Sequence, residues 1–153
     1  MRASKLALAF AVLAAACVVP SAVSAAEAVE PTAKALRYHK ALLRRPQPGY
    51  LFDRFFNTWL EAESAESLGA FLEGRQDDST ADGLLLAFFY AKQGEDVRAI
   101  ARLRETLAGD DGNSLARFEK AKLEARSLNF EVALADLAAA AAAGPDEDLA
   151  SEV

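Results

Sequence analysis

From residue 33 to residue 143, apolar residues recur every three or four positions, and the polar residues between them mark where successive helices start and stop. Leu36, His39, Leu42 and Leu43 fall on one face of a first helix over 32–44, with Arg37, Lys40 and Arg44 on its other sides. Pro31-Thr32 can open that helix, and Pro46-Gln47-Pro48-Gly49 stops it, because proline withdraws backbone donors and restricts the residue before it. From Tyr50 to Glu63 the helical period continues, but Leu51, Phe52, Phe55, Phe56, Trp59 and Leu60 occupy more than one side. This predicts a helix packed between neighbours, the most buried of the set. Ser64-Ala65-Glu66 then offers a cap with an acid in the first turn, and Ala65, Leu68, Phe71 and Leu72 form the stripe of the helix that follows. Nothing in the chain reads as a strand.

Beyond Gly74 to Asp78 the pattern repeats. Ser79-Thr80-Ala81-Asp82 places a serine cap three residues before an acid, so that side chains can satisfy free backbone donors reciprocally, and the helix runs to Gln93. Gly94 is a natural stop in left-handed conformation, after which Val97, Ile100, Ala101, Leu103 and Leu107 define a second helix. A helix from Ser114 to about Ser127, a turn at Leu128-Asn129 and a helix from Phe130 to Ala143 follow the same plan and end at Gly144-Pro145. Sliding the chain by 34 residues pairs Ala87 with Ala121, Ala91 with Ala125, Ala99 with Ala133, Leu103 with Leu137 and Ala108 with Ala142. The run Ala138 to Ala143 belongs to this helix, since alanine is the best helix former and lets helices approach closely. The units are therefore 80–113 and 114–147, and 148–153 sits where a further first helix would begin or forms a tail. Neither helix of one unit can bury its apolar face alone, so stacked units share a core.

A 34-residue helix-turn-helix unit resembles the tetratricopeptide repeat. Leu86, Ala87 and Tyr90 stand where that family has leucine, a small residue and tyrosine, Gly94 falls at the turn, and Ala99, Leu103 and Thr106 take the small, large and small positions of the second helix. In the next unit Ala121, Phe130, Ala133, Leu137, Ala140 and Pro145 fit, whereas Lys120 and Glu124 replace leucine and tyrosine. Upstream, Tyr38 to Leu42 followed by Pro46 resembles the end of a second helix, so 32–79 is read as degenerate helices of the same kind. The resemblance implies an all-α, right-handed α-solenoid of antiparallel helix pairs, two clear repeats after two to three preceding helices. It also implies a concave groove lined by first helices, which by register would offer Tyr50, Arg54, Asn57, Leu84, Phe88, Lys92, Phe118, Lys122 and Arg126 to a protein or peptide partner.

The N-terminus changes the setting. Met1 to Lys5 is a short basic segment, Leu6 to Val19 is an apolar run without charge, and Val23-Ser24-Ala25 presents small residues for cleavage after Ala25. Residues 1–25 therefore read as a signal peptide and 26–31 as a linker, which places the mature chain in a periplasmic or secreted setting. The run falls short of the ~20 residues of a spanning helix, so no stable membrane span is expected after processing. Cys17, behind Leu13-Ala14-Ala15-Ala16, loosely resembles a lipoprotein lipidation site, but Ala14 stands where a larger aliphatic residue is usual; cleavage after Ala25 is the preferred reading. That cleavage removes the single cysteine, so no disulfide can hold the fold, and it moves the formal charge from −6 to −8 by removing Arg2 and Lys5 and no acid. An acidic body does not attract nucleic acid or anionic lipid.

Candidate chemistry is sparse. His39, the only histidine, lies at helical spacing between Leu36 and Leu43 and reads as a packing residue. Glu61 with Glu63 and Asp110 with Asp111 fall at helix ends or turns and read as solvated caps; no ligand spacing, calcium loop or phosphate loop is recognisable. Phe52, Phe55, Phe56 and Trp59 read as core rather than as an aromatic ligand pocket. The expectation is an exported scaffold for protein interaction, able to serve in an envelope complex, without catalysis or cofactor of its own. The alternative is the N-terminal helical module of a larger exported enzyme or assembly whose chemistry lies beyond Val153.

Overall fold

The computed structural model describes residues 33–144. The expected signal peptide over 1–25, its Cys17, the linker over 26–31 and the segment 148–153 lie outside the described residues. Among the described residues the structure is all-α, without a strand: α1 (Ala33–Arg44), α2 (Tyr50–Leu60), α3 (Ala65–Glu73), α4 (Thr80–Lys92), α5 (Asp96–Gly109), α6 (Ser114–Arg126) and α7 (Phe130–Ala143). The starts of α6 and α7 follow those of α4 and α5 by 34 residues, and the corresponding helices are equal in length.

Local chemistry sets these boundaries. The Ser64, Ser79 and Asn113 side chains accept hydrogen bonds from backbone N–H groups in the first turns of α3, α4 and α6, at 3.2, 3.1 and 2.9 Å. At α4 the acid of the expected reciprocal cap behaves differently. The Asp82 carboxylate accepts from the Ser79 hydroxyl at 2.5 Å, closing the cap side chain to side chain. The turns inside the two units are superimposable in their bonding: Glu95 N–H donates to the Tyr90 carbonyl and Asn129 N–H to the Glu124 carbonyl, each at 2.9 Å. Both turns need a left-handed residue, supplied by Gly94 at φ 78° and by Leu128 at φ 64°. Glycine adopts that conformation freely, whereas leucine meets its own carbonyl there.

The core is organised around α4. Residues Asp82 to Tyr90 are all buried, so this helix, and not α2, is the most enclosed element of the described chain. Leu84, Leu85 and Leu86 point in three directions and each is sealed, contributing about 1.5–3 kcal/mol apiece by burial. Phe52 and Phe56 of α2 meet Phe88 and Phe89 with ring centroids 5.8 and 6.3 Å apart, while Leu68 and Leu72 of α3 and Ala35 and Leu42 of α1 complete the same cluster. On the remaining side α5 brings Ala99 and Leu103, and the approach is close: a Cβ on Gly83 would lie 2.9 Å from the Thr106 hydroxyl and 3.0 Å from the Arg102 guanidinium.

The second unit keeps the plan with different chemistry. Lys120 and Glu124, which stand 34 residues after Leu86 and Tyr90, are buried rather than turned outward. Lys120 Nζ donates to the Asp136 carboxylate on α7, and Glu124 accepts from Arg104 on α5 and from the Asn129 amide, both at 2.8 Å.

Two outcomes follow for stability. Ala99 has no exposed surface, so Ala99→Leu overpacks its crossing and should destabilise by about 1–3 kcal/mol, read in chemical denaturation. Leu128→Gly should raise stability by about 1 kcal/mol by relieving the left-handed strain, with Gly94→Leu moving it the other way.

Candidate functional site

The helices α2, α4 and α6 line an open cleft of about 460 Å³, with Pro48 and Gly49 also in its wall. Its apolar lining is Phe52 from α2, Phe88 and Ala91 from α4, and Leu123 from α6. These positions are outcomes of helix geometry: Phe88 and Ala91 lie three apart near the C-terminal end of α4, where the fully enclosed helix reaches the edge of the core. Asp53, Lys92, Glu119, Lys122 and Arg126 supply the polar lining.

Those charges are arranged as pairs. Lys92 Nζ lies 2.6 Å from Asp53 and ties α4 to α2, Arg126 lies 2.7 Å from Asp96 and ties α6 to α5, and Lys122 lies 3.0 Å from Glu119 one turn earlier on its own helix. Lys92 and Lys122 also stand over the Phe56 and Phe118 rings, 5.1 and 5.3 Å from their centroids. Exposed pairs of this kind stabilise a fold by about 0–1 kcal/mol each. Their larger effect is to hold cationic groups at fixed places beside an apolar floor.

Of the nine groove residues expected from the repeat register, Phe88, Lys92, Lys122 and Arg126 line the cleft. Tyr50, Arg54 and Asn57 are exposed on α2 but away from the cleft lining, and Arg54 instead reaches the Tyr38 hydroxyl at 3.4 Å. Phe118 is half-buried and also outside it. Leu84 is 1% exposed and belongs to the core, because α4 has no outward face along its middle. The residues missed on α2 are Phe52 and Asp53. The signal for them was the pair Phe52 and Phe56, four apart, which faces the aromatic residues of α4.

A second cluster joins α3, α4 and α5. The Tyr90 hydroxyl donates to Glu73 and accepts from Arg98, both at 2.7 Å, and Arg98 also binds Glu73 and Glu95 at 2.8 and 2.7 Å. Burial first, and the Glu73 carboxylate second, push the Tyr90 phenol up to about 12. Tyr90 therefore stays protonated and works as a structural pin.

His39 sits under the Phe71 and Phe55 rings, with its Nε2 3.4 Å from the buried Asp82 carboxylate. The two are too poorly aligned for a hydrogen bond. Histidine, aspartate and the Ser79 hydroxyl thus meet in one place, but in the wrong order for nucleophilic catalysis: serine bonds the carboxylate, and the imidazole that would activate it is on the far side, sealed from solvent. The surface carboxylates are engaged in ordinary ways, Glu61 with Lys34 at 3.8 Å and Asp110 with the Asn113 amide at 3.1 Å. Among the described residues no three His, Cys, Asp or Glu side chains gather where they could hold a metal, and no helix is long and apolar enough to cross a membrane.

Burial lowers the His39 pKa below 6.5; Asp82 opposes that shift and Arg75 adds to it. Below 6.5 the unfolded chain therefore takes up a proton that the folded chain resists, so stability present above that pH is lost as pH falls through it. Melting temperature should drop between about pH 7.5 and 5.5, a window in which ordinary carboxylates do not titrate, and His39→Gln should flatten that slope. Compared with protein-family models, curated proteins and solved structures, the chain matches none.

Proposed function

We propose that this protein is an exported, tetratricopeptide-like scaffold that binds a segment of a partner protein in the cleft between α2, α4 and α6, and that its helix pairs continue one another as a right-handed solenoid. The observation that carries the reading is the lining itself: a cleft of about 460 Å³ with Phe52, Phe88 and Leu123 as its floor and Lys92, Lys122 and Arg126 beside it, drawn from α2 and from α4 and α6, the first helices of the two repeat units. The 34-residue offset between α4 and α6 and between α5 and α7 supports the solenoid. The basic segment, apolar run and Val23-Ser24-Ala25 support export.

The segment that fits presents one aliphatic or aromatic side chain to the floor and carboxylates to the rim. Its acids compete with Asp53, Glu119 and Asp96 for cations that are already in place, so they contribute register more than affinity. Burial of the apolar anchor supplies most of the driving force.

The test is capture of partners from an envelope extract on the immobilised protein. Ala91→Trp, which fills the floor, and the double variant Lys122→Glu with Arg126→Glu, which inverts the rim, should each reduce the retained partner by about tenfold or more while the helical fold is retained by circular dichroism. An identical set of captured proteins on parent and both variants overturns the cleft as the binding site.

A further inference from the structure

Helix α1 is attached to the rest of the described chain through a narrow face. Its buried residues are Ala35, His39 and Leu42, against five on α2 and nine on α4. One of the three anchors is therefore ionisable, and it is the single histidine of the chain. The contact it makes is incomplete. His39 Nε2 and Asp82 Oδ1 face each other across the α1–α4 boundary at 3.4 Å, both enclosed, and neither has a hydrogen-bond partner. A buried polar atom left unpartnered is costly in the closed arrangement, and the cost is relieved once water reaches it. The other oxygen of Asp82 accepts from the Ser79 hydroxyl at 2.5 Å, which holds the carboxylate in its present orientation.

We infer that this boundary is an acid-operated latch: when His39 takes up a proton, α1 lifts away from α2, α3 and α4, while those helices remain packed together. The surroundings of the imidazole set the direction. From α2 it meets the Phe55 ring at 5.7 Å and from α3 the Phe71 ring at 5.2 Å, neither of which replaces the water that an imidazolium loses. From α4 comes the Asp82 carboxylate, and from the segment after α3 the Arg75 guanidinium, which lies 4.8 Å from the Phe71 ring centroid and 3.8 Å from Asp78. Burial opposes the imidazolium most strongly, Asp82 favours it, and Arg75 opposes it further. Lifting α1 away hydrates imidazolium and carboxylate together and returns His39 to its ordinary range. The closed form is therefore favoured above pH 6.5 and loses ground below it, by up to about tenfold per pH unit until it is itself protonated.

Helix α1 is the element that can give way. The polar ties from α1 to α2 are exposed, Lys34 to Glu61 at 3.8 Å and the Arg54 guanidinium to the Tyr38 hydroxyl at 3.4 Å, and such contacts hold weakly in water. Beyond Arg44 the chain passes through Pro46 and Pro48, which lack the N–H groups that would carry a helix on into α2. Helix α4 keeps its other cover when α1 leaves, because Phe52 and Phe56 of α2, Leu68 and Leu72 of α3 and Ala99 and Leu103 of α5 still pack in the same cluster. The latch does not rest on the cleft reading.

Hydrogen exchange of the full chain at about pH 7.5 and 5.5, corrected for the intrinsic rate at each pH, reads the latch helix by helix. Protection over Ala33–Arg44 should fall severalfold on acidification, up to about tenfold, and should lie at least about tenfold below that of α4 and α5 at the lower pH. Low urea should leave exchange in α1 almost unchanged while speeding it in α4, because lifting one helix exposes less surface than unfolding. His39→Gln, neutral at both pH values, should abolish the acid-dependent change. Protection of α1 that is unchanged or rises at the lower pH overturns the inference, a rise meaning that the imidazolium donates to Asp82 and tightens the closure. Exchange of α1 in step with α4 at every urea concentration, or a fall that His39→Gln retains, overturns it as well.

Discussion

A helix that is apolar on every side can exist in water only when other helices wrap it, and α4 imposes that condition on the whole described chain. Each neighbour answers it differently. Helix α2 supplies rings, α3 supplies leucines and the small Gly69, whose Cβ position lies 3.1 Å from the Phe89 ring, and α5 supplies Ala99 with Leu103. Helix α1 contributes Ala35 and Leu42 together with His39, which meets the one acid enclosed on α4, Asp82. The cleft is a consequence of the same arrangement. Where α4 emerges at its C-terminal end, Phe88 and Ala91 are left as a floor that α2 and α6 flank without closing.

The second unit shows how one backbone plan tolerates unlike interiors. The first places Leu86 and Tyr90 where the second places Lys120 and Glu124, yet both turns close with the same hydrogen bond and both helix pairs have the same lengths. Burying a lysine and a glutamate is tolerated because each finds an opposite charge, Asp136 and Arg104, and Glu124 a further donor in Asn129. Such pairs stabilise little beyond recovering their own desolvation, but they discriminate sharply between correct and shifted packing, since a slipped helix would strand a buried charge. They tie α6 to both α5 and α7, and so fix the angle at which α7 presents its open face.

The cleft and the open face of α7 differ in chemical character. The cleft combines an apolar floor with cations held by internal acids, which suits a segment carrying both kinds of group. The α7 stripe of Phe130, Leu134 and Leu137 is exposed and carries no charge.

Helix boundaries were legible in the residues because they depend on neighbours in sequence: Ser64, Ser79 and Gly94 act where they stand, and the all-α class follows from periodicity. The 34-residue offset was legible for the same reason. Half of the groove was not. Leu84 reads as an outward residue by register but is sealed, α4 rather than α2 is the enclosed helix, and on α2 it is Asp53, not Arg54, that lines the cleft. The groove lysines and arginine are paired with acids, in one case 39 residues away in the chain, which the register does not reveal. The sequence by itself determined where helices begin, end and repeat, since a backbone hydrogen bond or a cap spans only a few residues. The tertiary structure alone decided which side of each helix meets which neighbour, because a helix with apolar residues on several sides has no preferred face until other helices arrive to cover them.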